Sequence, residues 1–125
     1  MRTATIEINE KSYLLCFSAR VIRACTERYG DVSALADALD AEDPVKRLDE
    51  AVWVLSQMMD AGARYAKLNG IETPPPLSPD GILDQTDLSD FFRLRMSIQA
   101  TITSGQAKHV EVEPSKNGAA TPGTA

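Results

Sequence analysis

The stretch from Asp43-Pro44 to Gly70 constrains this chain more than any other. An aspartate at an N-cap can accept from a free backbone N–H of the first helical turn. Proline at the next position gives up an N–H that has no partner there. Glycine after Asn69 supplies the left-handed residue on which helices commonly end. At 100° per residue, Val45, Leu48, Val52, Leu55, Met59, Ala63 and Ala66 fall on one face. Ala51, Val54, Met58 and Tyr65 widen that face past half the circumference. A helix so broadly apolar needs neighbours on two sides, so this segment is expected to be the central helix. Its wet strip is expected to hold Lys46, Asp49, Glu50, Gln57, Asp60, Arg64 and Lys67. Asp43–Arg47 and Asp60–Arg64 stand at the i,i+4 spacing of a helical ion pair.

The flanking segments supply the neighbours. Thr3, Thr5 and Glu7 alternate with Ala4, Ile6 and Ile8, which is strand periodicity. Asn9 to Ser12 read as a turn, and Tyr13 to Phe17 as the return strand. An isolated hairpin is marginal in water, so this one must lie on the helices that follow. Ser18 and Gly30 bracket a first helix carrying Val21, Ile22, Cys25 and Tyr29 at helical spacing. A short second helix is expected from Asp31 to Leu39, with Val32, Leu35 and Leu39 on one face. Pro74-Pro75-Pro76 reads as a stiff spacer. Ser78-Pro79-Asp80 restarts a helical turn, and a last helix is expected from about Thr86 or Asp87 to just before Gly105. Gly118 to Ala125 contains only Gly, Ala, Thr and Pro, too little apolar surface to order a chain. The expected fold is therefore α+β and mainly α. An N-terminal hairpin and four or five helices form one domain over 1–105, with a flexible tail over 106–125.

Composition narrows the chemistry. A net charge of −5, from 13 basic and 18 acidic residues, opposes general binding to phosphate backbones. The segment from Asp31 to Asp40 has no basic residue, so a helix-turn-helix reading of the first two helices lacks its anchors. No apolar run reaches the ~18–20 residues of a membrane span. Cys16 and Cys25 read as reduced thiols, and with the one histidine, His109, they do not make a zinc set. His109 lies in the expected tail, where no triad could hold it. Asp37, Asp40, Glu42 and Asp43, and then Asp80, Asp84, Asp87 and Asp90, crowd helix starts, where carboxylates cap and offset the dipole. No phosphate loop, metal or cofactor is expected, and the chain is not read as an enzyme.

What remains is binding. Gly62 with Ala63 and Ala66 makes a small-residue patch, read as the close approach of another helix of the domain. Trp53 falls on the polar strip between Lys46 and Gln57. It is either covered by the hairpin, through Tyr13 or Phe17, or exposed as an aromatic anchor of the kind enriched at hot spots. On the last helix Phe91, Leu94, Ile98 and Ile102 form one apolar row, while Phe92 and Met96 form a second about 100° away. Arg95 and Gln99 lie between the rows, which a single core would not enclose unpaired. The first row is therefore expected to face inward. Phe92, Met96 and Trp53 are the candidate partner-binding residues.

Three segments carry a family resemblance: IEINEKSYLLCFSARVIRACTERYG over 6–30, LDEAVWVLSQMMDAGARYAKLNG over 48–70, and IETPPPL over 71–77. Together they resemble the tail assembly chaperones of long-tailed bacteriophages and prophages, in the short form of the chaperone pair. The resemblance implies a small, largely helical, non-enzymatic protein in the cytoplasm of the bacterial host. Its implied work is to hold the aggregation-prone tape measure protein while tail tube subunits polymerise around it. The implied partners are the tape measure protein and, further, the tail tube protein; the surface of Phe92, Met96 and Trp53 is expected to hold a tape measure segment or a second copy of the chain. A structural tail or connector component retained in the virion is the alternative, with a small DNA-binding regulator behind it.

Overall fold

Caps and breakers bound α1, α3 and α4, the elements on which the packing is built. The computed structural model describes the backbone of residues 3–112 and the side chains of 3–105. Two strands, β1 (Thr3–Ile8) and β2 (Lys11–Cys16), precede α1 (Ala19–Tyr29), α2 (Ala34–Leu39), α3 (Pro44–Asn69) and α4 (Pro79–Asp84). A 3-10 turn (Leu88–Asp90) then runs directly into α5 (Phe91–Val112). Among the described residues the chain is thus mainly helical, with an N-terminal antiparallel hairpin and five α-helices, of which α3 is the longest.

The hairpin pairs Thr3 with Cys16 and closes on Ile8 with Lys11. Its turn is only Asn9-Glu10, both with positive φ, at 52° and 67°. A two-residue turn of this hand matches the natural twist of the strands, so Lys11 and Ser12 join β2 rather than the turn. Ile6, Ile8, Tyr13 and Leu15 are buried, with β2 against α3 and β1 against α5.

Asp43 caps α3 by accepting from the Val45 N–H at 3.0 Å, Pro44 opens the helix, and Gly70 ends it in the left-handed region. Ala51, Val52, Val54, Leu55, Met58 and Met59 are buried along it. Val45, expected on the same buried face, is 65% exposed. Helical periodicity marks the apolar side of a helix but not how far a neighbour reaches along it. Ile22 of α1 is exposed for the same reason. Neither i,i+4 ion pair expected on α3 forms among the described residues. Arg47 donates instead to the carbonyl of Ala41, at 2.8 Å, and to that of Glu42. The second helix starts at Ala34, later than expected, because the Asp31 carboxylate accepts from Ser33 Oγ and the Ala34 N–H, holding 31–33 in a capping turn.

Two glycines decide the packing. A Cβ on Gly62 would lie 1.9 Å from the Leu14 carbonyl oxygen. The close approach foreseen there is real, but the neighbour is the β2 backbone and not a helix. A Cβ on Gly105 would lie 3.0 Å from the Phe17 Cβ. Gly105 is therefore no helix stop: α5 continues through it to Val112, and its missing side chain lets the helix seat on Phe17. Residues 106–112, expected in the tail, belong to that helix, while 113–125 lie outside the described residues.

The proline-rich segment straps the free edge of β2. The Leu14 N–H donates to Thr73 Oγ1 at 3.1 Å, and Ser56 Oγ of α3 donates to the Leu77 carbonyl at 2.8 Å. Among the described residues no helix is long and apolar enough to cross a membrane.

Gly62→Ala tests the central contact. In an open helix the change would gain up to ~1 kcal/mol of helix propensity. Here it is expected to cost about 2–3 kcal/mol through overpacking against a backbone that cannot give. Urea unfolding of the two proteins reads the sign directly.

Candidate functional site

The start of α5 is built by a reciprocal cap. The Asp87 carboxylate accepts from the Ser89 N–H, and the Asp90 carboxylate accepts from the Asp87 N–H, both at 2.9 Å. From that anchor the helix divides into two faces. Leu94, Ile98 and Thr101 are fully buried, with Phe91 and Ile102 packed at the core's margin. Thr101 satisfies its hydroxyl by donating to the Ser97 carbonyl at 2.7 Å.

The opposite face carries an apolar row that the described residues leave largely exposed. Phe92 is 71% exposed and Met96 is 53% exposed, as their spacing foretold. Leu88, in the 3-10 turn that leads into α5, is also exposed, at 78%. The sequence reading left Leu88 out, although its place four residues before Phe92 was the available signal. Beside the row opens a cleft of about 150 Å³ lined by Pro44, Arg47, Leu48, Leu88 and Phe91. The Arg47 guanidinium sits 5.9 Å from the Phe91 ring centroid.

The charged groups near the row are spent on the fold. Arg95 reaches across to α2, where it pairs with Asp40 and approaches the Leu39 carbonyl. Arg93 pairs with Asp90 at 3.1 Å and donates to the Glu7 carbonyl on β1. Gln99 donates to Thr103 at 3.3 Å. Leu88, Phe92 and Met96 therefore stand as a neutral strip among satisfied ions.

Trp53 does not join them. Its ring is half-buried beneath α1, with the Arg28 guanidinium 4.4 Å from its centroid and Tyr29 edge-on at 5.8 Å and 87°. Neither expected environment applies, because the cover is α1 and not the hairpin. The same cluster corrects a second expectation. Glu50, placed on the wet strip, is only 7% exposed. It accepts from Arg28 Nε at 2.9 Å, from Arg28 Nη2 at 3.2 Å and from the Tyr29 hydroxyl at 2.5 Å. Lys46 adds a weaker pair at 3.7 Å. The Arg28 hydrogen bonds hold the Glu50 carboxyl below the usual carboxylate range, helped by the Tyr29 hydroxyl. Burial first, and then the bond to Glu50, pushes the Tyr29 hydroxyl up. Cys16 and Cys25 are buried thiols that burial pushes up, so neither is an activated nucleophile.

Among the described residues no group of three or more His, Cys, Asp or Glu side chains could hold a metal ion. Asp43 and Asp87 act as caps, Asp90 closes the reciprocal cap, and Asp40 pairs with Arg95. No protein-family model, curated protein or solved structure matches the chain.

Glu50→Gln tests the α1–α3 lock. It replaces charge-assisted hydrogen bonds with neutral ones and is expected to cost about 1–2 kcal/mol at pH 7. Because the folded carboxyl titrates below its unfolded value, the wild-type advantage is complete above the unfolded value near pH 4.5. It is lost as pH falls through the lower folded value. The gap between variant and wild type should therefore shrink as pH falls below about 4.5, read by urea unfolding at falling pH.

Proposed function

We propose that this protein is a phage tail assembly chaperone, and that Phe92 and Met96 on α5, with Leu88 in the 3-10 turn before it, hold a segment of the tape measure protein. The reading starts from the family resemblance of residues 6–77. The observation that carries it is the exposed surface itself: Phe92 and Met96 on a helix whose other face is already buried, with Leu88 exposed in the 3-10 turn that leads into it. A soluble chain gains nothing from such a row unless something covers it. Phe gives the row a rigid anchor, and Met gives it an adaptable neighbour suited to clients of varied sequence. The 150 Å³ cleft at Leu88 offers a socket for one further client side chain. The site of action is the bacterial cytoplasm, before the tail is finished.

A structural component retained in the virion would present the same row to a permanent neighbour. Mass spectrometry of purified particles separates the two: the chaperone reading expects this chain to be missing from them. Co-expression with the tape measure protein tests the site. The wild type should co-purify with it, and the Phe92→Ser, Met96→Ser double variant should lose at least about tenfold in affinity, roughly one hot-spot residue's worth. Circular dichroism should be unchanged, because both side chains are exposed. Failure of the wild type to bind would sink the client assignment. Unfolding of the variant would place the row in the core.

A further inference from the structure

We infer that the outer edge of β1 docks an extended basic segment of another protein, which joins the hairpin as a third strand. The register decides which backbone groups face outward. Across a two-residue turn the flanking pair, Ile8 and Lys11, exchanges both of its hydrogen bonds. Bonded and non-bonded pairs then alternate, so Ile6 with Tyr13 and Ala4 with Leu15 are bonded within the hairpin. Thr5 and Glu7 on β1, like Ser12 and Leu14 on β2, turn their N–H and C=O away from it. Two contacts follow this parity. The Leu14 N–H reaches outward to Thr73 Oγ1, and the Glu7 carbonyl accepts from Arg93 on its outer side.

The fold covers one edge and leaves the other open. At β2 the strap takes the Leu14 N–H, and Gly62 closes on the Leu14 carbonyl. At β1 the Thr5 N–H, the Thr5 carbonyl and the Glu7 N–H have no hydrogen-bond partner among the described residues. A groove of about 480 Å³ opens along them, walled on its far side by Arg93 and Ser97, one turn apart on α5. Outward donors and acceptors at every second residue match the backbone of an extended segment, whose own groups carry the same spacing.

Charge selects which segment. Glu7 and Glu10 line the same groove, both are exposed, and neither forms an ion pair among the described residues. Arg93 does not offset them, because Asp90 already matches it. A second copy would bring the same carboxylates to the edge, and charge on an edge strand opposes pairing with its like. A Lys or Arg set opposite Glu7 instead falls on the same face of the sheet, within reach of the carboxylate. The occupant is therefore a basic strand from a different protein. The site is separate from the Phe92 and Met96 surface and does not rest on the client assigned to it.

The probe is a short capped peptide that alternates valine with lysine, added to the full chain and followed by amide NMR. A Kd on the order of hundreds of micromolar is expected, with hydrogen exchange at the Thr5 and Glu7 amides slowed at least about tenfold at saturation. A valine–glutamate peptide, and the valine–lysine peptide with its amides N-methylated, should each bind at least about tenfold more weakly. The Glu7→Lys, Glu10→Lys double variant should reverse the preference between lysine and glutamate peptides, with circular dichroism unchanged because both side chains are exposed. No binding up to about 2 mM peptide overturns the proposal, as does binding that leaves exchange at Thr5 and Glu7 unaltered. A double variant that unfolds, or that keeps the preference for lysine, overturns it as well. So do Thr5 and Glu7 amides already protected in the free chain, since the edge would then be held by the chain itself or by a second copy. None of these measurements includes a tape measure protein, so their failure is distinguishable from failure of the client assignment.

Discussion

At Gly62 the axis of α3 comes as near to the hairpin as two backbones allow, and much of the packing follows from that distance. With no side chain between them, helix and strand meet at the Leu14 carbonyl. The hairpin can then bury Ile6, Ile8, Tyr13 and Leu15, while the strap over 71–77 satisfies the edge of β2 through Thr73. The same device recurs once, where Gly105 lets α5 seat on Phe17. Two strands alone would be marginal, and here two close-approaching helices make them part of the core.

Polar groups join the helices wherever the apolar faces leave a gap. Glu50 gathers Arg28 and Tyr29 over Trp53 and fastens α1 to α3. Arg95 fastens α5 to the end of α2 through Asp40. In both places a charge stands close to apolar packing and is matched by an opposite charge, as partial desolvation requires. Of the acidic runs, Asp43, Asp87 and Asp90 serve as caps, and Asp40 and Asp90 pair with Arg95 and Arg93.

Once these demands are met, one apolar surface is left over. Phe92 and Met96, with Leu88 in the turn before them, stand exposed on a helix that has already buried Leu94 and Ile98 on its other side. A helix with two apolar faces separated by engaged ions is a helix built to be covered twice. The proposed client is the occupant of that outer face.

The sequence alone determined the local grammar. Asp43-Pro44 and Gly70 bound α3 to the residue, Ser18 and Gly30 bound α1, and the spacing of Phe92 and Met96 against Leu94 and Ile98 separated the two faces of α5. These features depend on groups within a turn or two of one another, where dihedral preferences and capping hydrogen bonds act. What only the tertiary structure decided is which neighbour arrives. Glu50 reads as solvated until Arg28 and Tyr29 approach from α1, and Gly105 reads as a stop until Phe17 fills the space beside it. Val45 reads as buried although no neighbour reaches it. Periodicity describes one element's own surface, but burial belongs to pairs of elements. The distance between elements far apart in sequence is written in no single segment.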